Sequence, residues 1–180
     1  MRYEVLTYGR PELRCKTHAV EKITDEIRRM VKDMLITMHS HEGVGLAATQ
    51  IGRTESLCVI EVPPAKDEQG RIVDENPGIA MPLVMLNPEI TMMRGEETCK
   101  EGCLSLPEIS VNITRAAEVT VSYMDVHEKA HSIQTRGLLA RAVQHEVDHL
   151  NGVLLVDRMS AVQRVAVAGK LKKLKKEAAE

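Results

Sequence analysis

The pentapeptide HEVDH, from His145 to His149, carries the clearest chemical signal in the sequence. Two histidines four residues apart on a helix project from the same face, close enough for both imidazoles to bind one metal ion. Glu146 stands beside them without being a ligand, and zinc proteases use such a carboxylate as a general base. Because the chain contains seven histidines, this motif alone can arise by chance and needs further support.

Two histidines leave a catalytic metal short of a third protein ligand. Downstream of the motif, Asp157 is too close to the helix end, and Glu177 and Glu180 lie in a lysine-rich tail. Upstream, Cys103 stands in the segment EGCLSLP, between a glycine and an apolar run. A thiolate at Cys103 would complete a Cys/His/His site that keeps a fourth position open for water.

Two other kinds of site are compatible with the same residues. A small HExxH metallopeptidase would cleave internal peptide bonds and would bind its metal without Cys103. A binding module would use Cys99, Cys103, His145 and His149 as a closed structural zinc site, which has no open position and hydrolyses nothing.

The composition predicts one globular domain over residues 1–180. The chain has 180 residues, of which 43% are hydrophobic, and this suffices for one core of ordinary domain size. A formal net charge of -2 and a pI near 6.4 argue against a surface built as a whole for DNA or for an anionic membrane. We find no run of about 18 apolar residues and no targeting segment, so we expect a cytoplasmic protein.

The four cysteines are too few for a dense disulfide framework in a chain of this length. In a reducing compartment, thiols serve metal binding or catalysis instead. Cys15 and Cys58 are predicted to be small buried hydrophobic residues. His39 and His41, which flank a glycine-rich segment, are predicted to face solvent.

Helical spacing marks three segments of the chain. Residues 24–40 place apolar side chains on one stripe behind Thr24 as N-cap, which predicts an amphipathic N-terminal helix. The stretch after Gly137 predicts a helix that carries HEVDH. The Ala-, Leu- and Lys-rich end of the chain predicts a basic C-terminal helix at about residues 160–180.

The middle of the chain has extended patterns. The segment from His41 to Gly52 is predicted to be a loop, because its three glycines disfavour a helix. The polar stretch between Pro64 and Pro82 is predicted to be an exposed excursion. Alternating or β-branched patterns predict extended segments at residues 56–62, 83–93, 96–106, 118–126 and 132–135. This order of elements predicts an α+β fold with mostly antiparallel sheet.

Three segments together resemble one protein family. GVGLAATQ at 43–50, EGCLS at 101–105 and QHEVDH at 144–149 are similar, in order and spacing, to the three signature segments of bacterial peptide deformylases. Weaker similarity runs nearly end to end and includes LTYGRPELR, NPEI and DHLNGVLLVDR. The resemblance implies hydrolysis of formyl-methionyl peptides and nascent chains, which releases formate. It also implies antiparallel sheets surrounding a central metal-binding helix, with Cys103 on a neighbouring strand.

The resemblance assigns the catalytic centre residue by residue. Cys103, His145 and His149 would bind one divalent metal ion, Fe(II) in cells and Ni, Co or Zn in purified protein. Glu146 would be the general base and then the general acid. These roles agree with the chemistry, since a metal lowers the pKa of bound water from about 15.7 toward about 7 and a carboxylate can then take its proton.

The resemblance also assigns the residues that would contact substrate. Gln50 and the backbone N–H of Leu104 would face the oxyanion that forms from the formyl carbonyl. Val44 and Gly45 on one side, and Gly102 with Leu104 on the other, would hydrogen-bond the substrate backbone as an added strand does.

The resemblance further implies that Leu138 and Ala142, with Cys99, line an apolar pocket for the methionine side chain. It also implies that Arg115 and Asp148 form a buried ion pair that orients the metal-binding helix, and the alternative is two solvated charges. Glu101 has two interpretations at this stage: it either hydrogen-bonds Gln50 or is an exposed strand residue.

The end of the chain is rich in cations, which are Arg164, Lys170, Lys172, Lys173, Lys175 and Lys176. In bacterial deformylases such a basic helix can dock on the ribosome, whose RNA supplies phosphates. The alternative is the solvated face of an ordinary helix. Both interpretations fit the sequence.

Overall fold

Helix α1 opens the fold in the computed structural model, which describes residues 1–179. It spans Asp25–Ser40, and the Thr24 hydroxyl caps it by accepting a hydrogen bond from the Ile27 N–H at 3.3 Å. The helix buries a stripe formed by Ile27, Met30, Val31, Met34 and Met38. The amphipathic helix predicted from the sequence is therefore confirmed.

Short strands follow α1, and longer strands come after them before the chain returns to helix. The strands are β1 (Gly45–Ala47), β2 (Leu57–Ile60), β3 (Ala65–Lys66), β4 (Ile72–Val73), β5 (Leu83–Arg94), β6 (Glu97–Gly102), β7 (Ser110–Arg115), β8 (Glu118–Met124) and β9 (Ala130–Arg136). The later helices are α2 (Gly137–Leu150), α3 (Leu155–Arg158) and α4 (Ala161–Glu177). Short 3₁₀ turns occur at Pro11–Arg14 and Ala48–Ile51.

Within residues 1–179, the strands form one large and two small antiparallel sheets. The large sheet has the order β1-β2-β5-β8-β9, whereas β3 pairs with β4 and β6 pairs with β7. This arrangement confirms the predicted α+β fold with antiparallel sheets.

The large sheet lies between α1 and α2, and the alternation of β2 explains why. Leu57 and Val59 belong to the apolar cluster that contains α1, whereas Cys58 and Ile60 belong to the cluster that contains α2. Successive side chains of a strand point to opposite faces, so β2 is buried on both sides. A third apolar cluster joins the β6–β7 hairpin to α3 and α4, through residues such as Ile113, Leu155 and Leu174.

The segment predicted to be a loop after α1 is instead buried structure. Residues 45–51 form β1 and a 3₁₀ turn, and every one of them is buried. The prediction counted the glycines but missed the apolar content of this segment, which pairs with β2 and packs inside the protein.

Two further predictions about local structure were wrong, and one strand was not predicted. Cys15 is exposed, whereas Cys58 is buried as predicted. Cys103 lies one residue beyond the end of β6 instead of on a strand. Strand β7 was not predicted, although it pairs with the whole of β6 from Glu97 to Gly102.

No helix within residues 1–179 combines the length and the apolarity that crossing a membrane requires.

Candidate active site

The three predicted metal ligands meet at one point. The Cys103 Sγ lies 3.2 Å from the Nε2 of His149, and the two histidine Nε2 atoms are 3.2 Å apart. All three ligand atoms lie within 4.8 Å of one another. One thiol and two imidazoles form a donor set that suits a divalent transition metal.

Helix α2 positions both imidazoles, and the Nδ1 contact of His145 agrees with metal binding through its Nε2. His145 and His149 are one turn apart, and the Nδ1 of His145 lies 2.9 Å from Glu101 Oε2, which directs its Nε2 toward the cluster. Burial and the neighbouring His145 hold the pKa of His149 well below its ordinary value. A neutral imidazole is the form that binds a metal, so His149 is already in the form that a divalent ion requires. Burial lowers the pKa of His145, but Cys103 and Glu101 outweigh it and raise that pKa, so His145 would release its proton as an ion binds.

Cys99 is not part of this cluster. It pairs with Ile113 inside the β6–β7 ladder, four residues before Cys103. Four residues of extended chain span about 13 Å, which is too far for both thiols to bind one ion. The closed four-ligand zinc site therefore has no geometric support in residues 1–179.

Glu146 is buried beside the three ligand residues, with only 3% of its surface exposed. Its Oε2 makes no hydrogen bond to any residue of 1–179. Burial raises the pKa of Glu146 to about 7. A carboxyl group with this pKa can accept and return a proton near neutral pH.

Gly45 leaves the space that Glu146 occupies. A Cβ on Gly45 would lie 2.2 Å from the Glu146 Oε1, far inside van der Waals contact. The second glycine of GVGLAATQ therefore lets β1 pass directly against the carboxylate of α2.

The Gln50 side chain is fixed in the same buried region. Its Oε1 accepts a hydrogen bond from the Ala47 N–H at 2.9 Å, and its Nε2 donates to Ser105 Oγ at 3.2 Å. The Nε2 also lies 3.7 Å from the Cys103 Sγ. The amide nitrogen therefore lies beside the thiol of the candidate metal cluster.

A buried charge network surrounds Glu101. Arg115 forms an ion pair with Asp148 at 2.8 Å, as predicted, and its Nη2 donates to Glu101 at 2.7 Å. Burial opposes ionisation of Glu101, but hydrogen bonds from His145 and Arg115 outweigh it and hold its pKa well below the ordinary value. Glu101 is thus neither an exposed residue nor a partner of Gln50.

A cleft of about 660 Å³ opens onto this centre. One wall includes Val44 and Gly45 at the start of β1, which is an edge strand of the large sheet. The facing wall runs from Lys100 to Ser110. The cleft is also lined by predicted site residues from elsewhere in the chain, which are Gln50, Leu138, Ala142, His145 and Glu146.

A family model for polypeptide deformylase matches residues 2–165. The chain is 40% identical over 181 residues to the peptide deformylase of Opitutus terrae, which covers 98% of this chain and 94% of that protein. The chain belongs to the polypeptide deformylase family.

Solved deformylase structures have the same fold. The peptide deformylase of Legionella pneumophila superposes with a TM-score of 0.83 at 36% identity, over 100% of this chain and 99% of that one. The peptide deformylase of Synechococcus elongatus, solved in complex with actinonin, gives a TM-score of 0.81 at 38% identity, over 93% of this chain and 87% of that one.

Sequence reasoning missed two groups in this deformylase cleft. Arg141, a buried cation, lines the cleft next to Ala142, whereas Cys99, predicted there, does not line it. Leu106 and Ile109 supply further apolar surface from the facing wall. The helical position of Arg141, one turn before His145, is the signal that could have identified it.

Proposed function

We propose that this deformylase hydrolyses the formyl group from the N-terminus of formyl-methionyl nascent polypeptides and releases formate. The proposal rests on one cleft, which combines a Cys/His/His cluster with an edge strand. The Oε2 of Glu146, which has no hydrogen-bond partner among residues 1–179, lies beside that cluster. Membership of the deformylase family supports the reaction.

Cys103, His145 and His149 are the residues that would hold the metal. A divalent cation bound there would act as a Lewis acid and make water a sufficient nucleophile near neutral pH. We propose Fe(II) in the cell, and Ni, Co or Zn in purified protein, because a Cys/His/His set accepts several ions and their availability decides between them.

Glu146 handles the protons in this proposal. Its free oxygen accepts the proton of the attacking water, and the same carboxyl group then gives a proton to the leaving amine. A carboxyl group with a pKa of about 7 is present in both protonation states near neutral pH, which suits a group that first accepts and then donates a proton.

Gln50 and the N–H of Leu104 stabilise the oxygen of the formyl group as it gains negative charge. Gln50 is held by Ala47 and Ser105, so its N–H groups are oriented before substrate arrives. A donor of this kind can contribute about 3 to 4 kcal/mol in the transition state.

The substrate backbone would lie between the two walls of the cleft. Val44 and Gly45 on one side, and Gly102 with Leu104 on the other, would bind it through main-chain hydrogen bonds. Leu138 and Ala142 would contact the methionine side chain. Recognition through the backbone suits an enzyme that processes many different chains.

Formate release from formyl-Met-Ala-Ser tests the proposal directly. The protein is reconstituted anaerobically with Fe(II) or with nickel, and a chelator-stripped sample and the acetylated peptide serve as matched controls. We expect formate only from the loaded protein and the formylated peptide. Cleavage of internal peptide bonds without formate release would favour the metallopeptidase instead, and no reaction from folded, loaded protein would refute both.

We further propose that α4 binds the ribosome, which would place the enzyme in the cytoplasm beside emerging chains. Its five lysines are all exposed, and phosphates of ribosomal RNA would neutralise them. We expect cosedimentation with ribosomes that weakens as salt rises and is lost in a Lys172→Gln, Lys176→Gln variant. Undetectable or salt-insensitive binding would refute this role.

A further inference from the structure

The metal-ligand cluster is assembled from two segments that have different apolar surroundings. Cys103 follows the β6–β7 hairpin, whereas the histidines belong to α2. The hairpin packs with α3 and α4 in one apolar cluster, while α2 packs against the large sheet in another. Polar contacts at the boundary therefore have to set the position of the thiol relative to the imidazoles.

Arg141 makes such contacts to both strands of the hairpin. Its Nη1 donates to Glu101 Oε1 at 3.0 Å and to the Ile113 carbonyl at 2.9 Å. Its Nη2 donates to the Glu97 carbonyl at 2.8 Å. The residue is only 5% exposed and lies one turn before His145 on α2.

Glu101 is held from two sides by this arrangement. Arg115 donates to both of its oxygens, and Arg141 donates to Oε1. These contacts fix the carboxylate so that its Oε2 meets the His145 Nδ1 at 2.9 Å. One guanidinium on α2 thus binds the hairpin backbone and also the partner of a ligand imidazole.

We propose that Arg141 is a positioning residue that pins the β6–β7 hairpin to α2 and so sets the separation between the Cys103 thiol and the two imidazoles. The inference rests on the proposed metal-dependent function, because the separation matters only if the three side chains share an ion. Groups that orient metal ligands typically alter metal affinity about 10- to 100-fold when removed.

Metal retention tests the proposal independently of catalysis. Arg141→Lys keeps the buried charge but cannot reproduce the forked contacts, and Arg141→Met removes the charge at similar length. Arg136→Met is the matched control, because Arg136 is exposed and precedes the same helix. Loss of nickel to a chelator and the thiolate absorption of the cobalt-loaded protein are measured for each, with folding checked by circular dichroism.

We expect both Arg141 variants to lose nickel about 10 to 100 times faster than the native protein and to shift the cobalt–thiolate absorption. Arg136→Met should behave like the native protein. If Arg141→Met does not fold, Arg141→Lys decides. Native retention and an unchanged spectrum in folded Arg141→Lys would overturn the positioning role alone, whereas a native protein that binds no metal would overturn the proposed function as well.

Discussion

Helices α2 and α4 have similar lengths and opposite surroundings. Of the 14 residues of α2, ten are buried, whereas α4 buries only Leu174 among its 17. Half of the buried residues of α2 are polar or charged, so low polarity does not explain its burial. A charged helical residue is therefore buried where neighbouring elements supply partners for it.

Substituting one glutamate on each helix should give the largest difference, which is measured as the rate of formate release. Glu146→Gln removes the proposed proton carrier and should reduce formate release by about 10²- to 10⁴-fold. Glu177→Gln changes an exposed residue of α4 and should leave the rate unchanged. Both variants are assayed with equal metal content, and a Glu146→Gln enzyme with native activity would remove Glu146 from the mechanism.

The ion pairs of the two helices should contribute different amounts to the free energy of unfolding. Arg115→Met breaks a buried pair with Glu101 and a second pair with the half-buried Asp148, and it should lower the free energy of unfolding by about 3 kcal/mol. In this variant Arg158 still pairs with Asp148, and Arg141 still pairs with Glu101. We therefore expect a loss of stability at the lower end of the usual range for a broken buried ion pair.

Lys173→Met provides the matched control for that prediction. Lys173 and Glu177 form an exposed pair at 3.7 Å on α4, which should contribute less than about 0.5 kcal/mol. Urea denaturation measures both variants, and equal effects would contradict the contrast between the helices.

Alanine substitutions at two glycines should also have opposite effects at the two helices, since Gly45 lies against α2 and Gly169 lies within α4. Gly45→Ala would displace the Glu146 carboxylate and should reduce kcat by up to about 100-fold. Gly169→Ala, inside α4, meets no atom within 4 Å and should stabilise the protein by about 0.5 to 1 kcal/mol. An unaltered kcat in Gly45→Ala would mean that the carboxylate does not need this space.

The hairpin of β8 and β9 carries a half-buried pair, Asp125 and His131. Its substitution should have the smallest effect on stability. A hydrogen bond from His131, with backbone N–H groups, lowers the pKa of Asp125 to about 2. The stability that ionised Asp125 contributes is therefore present above about pH 4 and is lost as the pH falls through about 2.

Asp125→Asn tests this pH dependence. The variant should be less stable than the native protein at pH 7, by less than about 1 kcal/mol. The difference should shrink between pH 4 and pH 2, as urea titrations at several pH values would reveal. A difference that does not change with pH would assign the contribution to packing instead.

Local sequence patterns were enough to predict α1, α2 and α4, whereas the short helix α3 was not predicted. The stripe of α1 and its Thr24 cap follow from spacing alone, and HEVDH specifies which α2 residues share a face. Cys103 was added by the need for a third ligand and by the resemblance to deformylases, and the structure brings it to the histidines.

Features that depend on distant partners could not be predicted. Arg141 and Glu101 are charged and are typical of surface residues by type, yet both are buried. Glu101 is buried because Arg115 and Arg141 pair with it, and Arg141 is buried because Glu101 and two backbone carbonyls accept its hydrogen bonds. The segment 45–51 resembles a loop until its pairing with β2 is known. Cys15 was predicted to be buried from residue type alone, and its position in the chain leaves it exposed.

The ligand cluster also has a consequence for how the chain folds. Cys103 and His149 are 46 positions apart, and β7, β8 and β9 lie between them. An unfolded chain has no preformed site, so an ion bound here would act as a cross-link that closes this long loop. Its binding free energy would then become folding free energy, and the loaded protein would resist unfolding more than the metal-free one.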